Sequence, residues 1–364
     1  MTRPKAYLDP PRRPPFAVPQ PPPGKRLISL ALNESPFGAS PKAVAAIRRA
    51  VETPNRYPDP ASNALRQAIG EAHGIDPERI VCGNGSEELL DVIGRLFVRP
   101  GDAIAMSQSG FFQFALVAAR LGADLQRIPE HVYVLDVDTA AKAIDARTKI
   151  LFLAIPNNPT GTLLPPAGVE RLHQILPADI VLVLDLAYAE YLPPTDLARL
   201  MAYGMAQENI VITRTFSKAY GLAALRVGWL AAPNWMIPGL NLLRGVGSVN
   251  AIAQAAAAVA LADTAFVASA VAATAVERDF LAANLHRLGI SFVPGLGNFL
   301  LADFGTGAEG FIAHAMAKAG IWLRPVGEPG FGGHIRVGLG TRSENEMLIA
   351  TLEDFRLAVP HAAK

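Results

Sequence analysis

The stretch NIVITRTFSKAYGLAALRVGW, Asn209–Trp229, contains an apolar run, then a lysine, then an arginine eight residues further on. Ile210, Val211 and Ile212 read as a strand buried in a sheet. Lys218 stands just past it, between Ser217 and Ala219, and the segment from Gly221 to Arg226 is small or apolar up to the arginine itself. Lys218 and Arg226 in such surroundings need dedicated partners, because a charge taken out of water without one is costly.

Working outward, the same kind of run recurs. ERIVCGNG (78–85), DAIAMS (102–107), TKILFLAIP (148–156) and DIVLVLD (179–185) are short and rich in Val, Ile and Leu. They read as strands covered on both faces. Helical patterns such as SEELLDVIGRLF (86–97) and GVERLHQIL (168–176) lie between them. That alternation predicts an α/β fold with a mostly parallel central sheet. In such sheets, ligands bind outside the carboxyl ends of the strands, so the chemistry is expected just after each run.

Past residue 245 the pattern changes to long helices, then NFLLADF, IWLRPV and HIRVGLG, then a closing helix. The expected organisation is a proline-rich N-terminal arm (1–30), a large α/β domain (31–245) and a small C-terminal α+β domain (246–364). The prolines of MTRPKAYLDPPRRPPFAVPQPPPGKR exclude a helix or a central strand there. The arm is expected to lie extended on another surface, such as a second subunit, or to be a free tail. The alanine-rich stretch from Val249 to Val276 carries Asn250, Gln254 and Asp263, which suits a buried helix pair better than a membrane span.

Among 364 residues, 51% are hydrophobic, enough for a large core in two lobes. With 33 basic against 32 acidic residues, the net charge of +1 calls for neither nucleic acid nor an acidic membrane surface. The single cysteine, Cys82, and the lack of an apolar leader point to a reducing, cytoplasmic setting. No metal is expected.

The strand ends carry the chemistry. Gly83 and Gly85 let backbone amides approach a ligand, and Ser86 opens a helix whose N-terminus suits an anion, although Glu87 and Glu88 in its first turn do not help one bind. Taken alone this is an ordinary strand-to-helix turn. Asn158 precedes Pro159 and is held out of helical geometry. Asp185 ends a buried strand, with Tyr188 three residues on. If these groups converge with Lys218 and Arg226, one ligand satisfies them all. It offers a phosphate, a phenolic oxygen, a protonated ring nitrogen and an aldehyde for the lysine. Pyridoxal 5′-phosphate is that ligand, with Lys218 as the amine that captures its aldehyde and Arg226 as a phosphate partner.

RTFSKAYGLAALRVGW resembles the cofactor-lysine signature of the class I/II, fold type I, pyridoxal-phosphate-dependent aminotransferases, and within them the histidinol-phosphate aminotransferase branch. LNESPFGASPKAV, RYPDPASNALRQAI, GNGSEELL, IPNNPTG, LDLAYAEY, SVNAIAQAAAAVAL and HIRVGLGTRSENE extend the likeness from about residue 26 to the C-terminus. The resemblance implies that Lys218, Asp185 and Tyr188 are catalytic. It further implies that Asn158 and Tyr188 bind the phenolic oxygen, that Ser86, Ser217 and Arg226 bind the phosphate, and that Gly85 and Thr215 also contact the cofactor. Tyr57 would reach that site from the neighbouring subunit of a homodimer, and Phe111 would stack on the ring. Arg336, with Arg324 and Asn33, would bind substrate, and the reaction would link an amino donor to 2-oxoglutarate. The alternative is a decarboxylase of the threonine-phosphate decarboxylase type.

Three features depart from the family pattern. Pro21 or Pro22 occupies the region of an expected tyrosine, Phe111 and Phe114 replace two more, and Leu186 replaces a glutamate. The lost hydroxyls lead to the expectation of a less phosphate-adapted pocket, open to aromatic donors.

Overall fold

The computed structural model describes residues 17–327 and 330–358. The part of the expected arm before Ala17 lies outside the described residues. A seven-stranded sheet forms the centre of the larger lobe. Its spatial order is Ile80–Gly83, Gly228–Ala231, Ile210–Thr215, Val181–Asp185, Thr148–Ala154, Ala103–Ser107 and Asp124–Ile128. Gly228–Ala231 runs antiparallel to both neighbours, and the other pairs further along the sheet are parallel. The five expected strands are all present. Asp124–Ile128 and Gly228–Ala231 are additional: the first is a half-exposed edge with no apolar run, and the second is only four residues long.

Helices cover both faces. Ser86–Phe97 buries Leu89, Leu90, Val92 and Ile93, a helical spacing that turns one stripe onto the sheet. Ala251–Ala262 buries Ala253, Ala256, Ala257 and Ala260 by the same spacing, and Asn250 caps it by accepting from the Ala253 amide at 2.8 Å. Small side chains on that stripe let it approach helices Pro41–Ala50 and Asn63–His73 closely. After Asp263 the chain bends by 81° into Thr264–Arg287, and among the described residues no single helix is long and apolar enough to cross a membrane.

The expected boundary at 245/246 therefore precedes the change of packing partners. Ala251–Ala262 packs with the larger lobe, whereas Leu281 and Leu285 of the next helix join the core of the smaller one. That smaller core lies on a four-stranded sheet ordered Ser291–Val293, Phe299–Asp303, His334–Gly338, Arg324–Pro325. Residues 28–30 also belong to it. Ile28–Ser29 pairs in parallel with Ile321–Trp322, and Gly338 N donates to Leu30 O at 2.7 Å. This part of the expected arm lies on its own chain's small lobe.

Candidate active site

Register places three site groups side by side. Ala154 aligns with Asp185, and Asp185 with Thr213, across adjacent parallel strands. Residues in register on parallel strands share a face, so Thr213 Oγ1 can donate to Asp185 Oδ1, at 3.0 Å. Asp185 is 3% exposed. Burial pushes its carboxyl up to about 6, against the pull of the Thr213 hydroxyl, the Ala187 amide and the Lys218 charge. Its contacts among the described residues are to neutral donors, so the carboxylate is suited to a cationic partner brought by a ligand.

Around Asp185 runs a cleft lined by Ser86, Glu87, Phe111, Phe112, Asn158, Tyr188, Thr215, Ser217, Lys218, Arg226, Arg324 and Arg336, with Leu32, Ala154 and Ala187. It opens at the carboxyl ends of the parallel strands. Lys218 Nζ donates to the carbonyls of Leu32 and Asn33 at 3.1 and 3.2 Å, and lies 5.5 Å from the centre of the Tyr188 ring. Tyr188 OH accepts from Asn33 Nδ2 at 2.9 Å, which leaves its own proton to donate elsewhere. Arg336 donates to Asn158 Oδ1 at 2.8 Å and to the Ala31 carbonyl at 2.6 Å.

One end of the cleft is an anion cradle. Arg226 adopts the left-handed conformation, φ 53°, and its Nη1 donates to Ser217 Oγ at 3.3 Å. Thr215 Oγ1 donates to Ser217 Oγ at 3.0 Å. Gly85, φ 82°, stands at the N-cap of the Ser86–Phe97 helix, and a Cβ there would lie 2.5 Å from Arg226 Nη2. The glycine thus makes room for the guanidinium beside the helix N-terminus, where amides and dipole both favour an anion. Glu87 Oε2 lies 3.9 Å from the same guanidinium.

All the site residues expected from sequence except Tyr57 gather at or just behind this cleft. Gly85 and Asn33 act just behind the lining, through Arg226 and Tyr188. Tyr57 is fully exposed and does not line this chain's cleft. Two expected departures need correction. Phe114 is fully buried and stacked on Phe152 at 4.8 Å, and Leu186 is fully buried, so neither alters the cleft wall. Phe111 does line it. The sequence reading missed Phe112, whose ring lies 4.7 Å under Arg324, and Thr213, whose signal was a hydroxyl inside an apolar strand two residues before Thr215. It also missed Asn298, whose Nδ2 donates to the Asn33 carbonyl at 2.9 Å and anchors the segment that caps the lysine.

Comparison with known proteins agrees with this geometry. The family pattern for aminotransferase class I and II matches residues 25–352. A histidinol-phosphate aminotransferase of Rhodopseudomonas palustris is 39% identical over 344 residues, 94% of each chain. One of Granulibacter bethesdensis is 40% identical, covering 92% of this chain and 91% of that one. Among solved structures, the histidinol-phosphate aminotransferase of Sinorhizobium meliloti in complex with pyridoxal-5′-phosphate superposes with a TM-score of 0.87 at 30% identity, over 91% of both chains. A Thermus thermophilus aspartate aminotransferase mutant gives 0.80 at 25% identity over 92% of both. From the parallel sheet to the lysine beyond Ile210–Thr215, this chain belongs to the class I and II aminotransferases.

Proposed function

We propose that this pyridoxal-phosphate-dependent aminotransferase takes its amino group from histidinol phosphate and delivers it to 2-oxoglutarate. The observation that carries the reading is the convergence of Lys218, Asp185, Asn158, Tyr188, Arg226 and Arg336 on one cleft. Those residues fit the cofactor group by group. Arg226, Ser217, Ser86 and the helix N-terminus suit its phosphate, Tyr188 and Asn158 its phenolic oxygen, Asp185 its ring nitrogen and Phe111 its face. When bound, pyridoxal phosphate supplies an electron-withdrawing ring that stabilises charge developing at substrate Cα. Asp185 would keep the ring nitrogen protonated, and Lys218 Nζ would carry the proton between substrate Cα and the carbon that was the cofactor's aldehyde.

Two guanidinium groups, Arg336 and Arg324, face the substrate end. 2-Oxoglutarate presents two carboxylates to them, and histidinol phosphate presents a phosphate in place of the α-carboxylate. Phosphate and carboxylate both suit the planar fork of arginine. No observation favours a decarboxylase. A donor panel with 2-oxoglutarate tests the assignment: kcat/KM for histidinol phosphate should exceed that for phenylalanine and leucine, and an inverted order would overturn it.

Arg336→Ala should weaken both half-reactions together. Truncating one partner of a buried charged contact costs about 2–5 kcal/mol, so kcat/KM should fall roughly 30- to 5,000-fold for donor and for 2-oxoglutarate alike. A loss confined to one substrate would remove Arg336 from the shared anion site. Gly85→Ala should act on the cofactor instead. Its Cβ displaces Arg226 Nη2, and a hydrogen bond to a charged group is worth about 1.5–3 kcal/mol. Cofactor Kd should rise roughly 10- to 100-fold, measured by fluorescence titration of the cofactor-free protein.

The same reading makes the working unit a homodimer in which Tyr57 completes the phosphate site of the second copy. Its support is a fully exposed tyrosine on the turn beside Pro58, next to a groove reaching Asn250–Ile252. Mixing Lys218→Ala chains with Tyr57→Phe chains should form hybrids with one undamaged site and recovered cofactor affinity. Absence of recovery would place Tyr57 within its own subunit.

A further inference from the structure

Behind the cleft, on the other face of the strand that carries Thr213 and Thr215, lies a charge pair with no part in the chemistry described above. Side chains alternate along a strand, so Arg214 points away from Asp185 and Ser217. It meets Glu190 there, Nη2 to Oε1 at 2.5 Å, and the two side chains are 3% and 7% exposed. Trp229, the register partner of Arg214 on the next strand, has its ring 5.6 Å from the guanidinium carbon. Arg214 Nη1 and Glu190 Oε2 are buried without a hydrogen-bond partner, so the pair is joined by one contact rather than two.

Such a pair is a poor stabiliser. Desolvation of two ions offsets most of their attraction, and an apolar pair of similar volume often does as well or better. Its placement is more informative. Glu190 sits in the tight turn Ala189–Tyr191, two residues after Tyr188, and Tyr191 N donates to Tyr188 O at 3.0 Å. Arg214 sits between the hydroxyl that holds Asp185 and the hydroxyl that holds Ser217. The contact therefore bolts the segment bearing Asp185 and Tyr188 to the strand leading to Lys218. The leading influences on the Asp185 carboxyl are its burial, the Thr213 hydroxyl and the Ala187 amide rather than Arg214, which points to a geometric role for Arg214.

We propose that Glu190 and Arg214 are positioning residues that set the aim of the Tyr188 hydroxyl at the cofactor's phenolic oxygen. The proposal rests on the reading that Tyr188 faces that oxygen, and its test separates the two. A hydrogen-bond donor at the phenolic oxygen favours the more negative form of the bound chromophore, so losing it raises the midpoint of the absorbance change with pH. In the holoenzyme, Tyr188→Phe should raise that midpoint by about one to two pH units, the equivalent of one hydrogen bond to a charged oxygen. Glu190→Gln should raise it by part of that amount. On the Tyr188→Phe background, Glu190→Gln should add nothing, because residues acting through one group are not additive. The Glu190→Leu, Arg214→Met double variant should keep the wild-type Tm while retaining the raised midpoint. If Tyr188→Phe leaves the midpoint unmoved, Tyr188 does not face the cofactor and the proposal falls with that reading. If Tyr188→Phe moves it but Glu190→Gln does not, or moves it equally on both backgrounds, the positioning role is overturned while the Tyr188 reading stands. A wild-type midpoint in the Leu/Met variant would show that the charge pair sets nothing at the site.

Discussion

Lys218→Ala should leave a folded, cofactor-binding protein whose turnover is lower by about four orders of magnitude, the upper end of what one positioned acid–base group contributes. The fold should survive because the lysine is not a structural strut. Its Nζ donates to the carbonyls of Leu32 and Asn33, and the Asn33 carbonyl keeps the Asn298 amide as a partner. Loss of one ordinary hydrogen bond costs about 1 kcal/mol. The cofactor should still be held through its phosphate, since Arg226, Ser217 and the helix N-terminus are untouched. Two measurements check this. Single-turnover kinetics with the donor should show the rate loss. Borohydride reduction followed by peptide mapping should label Lys218 in the parent protein and no lysine in the variant. A label on another lysine, or near-parental turnover, would remove Lys218 from the chemistry.

The lysine stands out in the sequence because its surroundings conflict with its charge. A cation after Ile210–Val211–Ile212 has no reason to be there unless something meets it. The same conflict exposes Asp185 at the end of VLVLD and Arg226 among alanines and leucines. The parallel sheet is legible from strands buried on both faces, each an unbroken apolar run. Asp124–Ile128 is not legible because an edge strand is half solvated and needs no such run. The lobe boundary is hard to place from sequence for a related reason. An alanine stripe at positions 253, 256, 257 and 260 is equally at home in either lobe, and only the neighbours it packs on decide. Phe114 and Phe111 look equivalent in the sequence, three positions apart on one helix start, yet the first stacks in the core and the second faces the cleft. Periodicity reports which residues are buried. It does not report whether they are buried against protein or against a ligand. The Glu190–Arg214 pair shows the same limit, since nothing in the chain order joins two charges 24 residues apart.

Asp185→Asn should separate stability from activity in opposite directions. The carboxyl is pushed up to about 6 by burial, against 3.8 for an ordinary aspartate. Between those two values the cofactor-free folded state holds a proton that the unfolded state has released. Its stability therefore falls as pH rises through that window, and the full cost is present above about pH 6. A gap of about two units corresponds to about 3 kcal/mol. Asparagine carries no charge to desolvate, so the cofactor-free variant should gain up to that amount at pH 7 to 8 and nothing near pH 4. The gain is reduced by whatever its amide loses in facing the Ala187 N–H. Activity should move the other way. Asparagine cannot oppose a protonated ring nitrogen, and losing one partner of a buried pair costs about 3–5 kcal/mol, which is roughly two to four orders of magnitude in kcat. Urea unfolding of the cofactor-free proteins at pH 4 and pH 7.5, beside kcat of the loaded enzymes, measures both. A variant equally destabilised at both pH values would mean that Asp185 is ionised and satisfied within the chain. One with near-parental kcat would mean that its charge has no work to do at the ring.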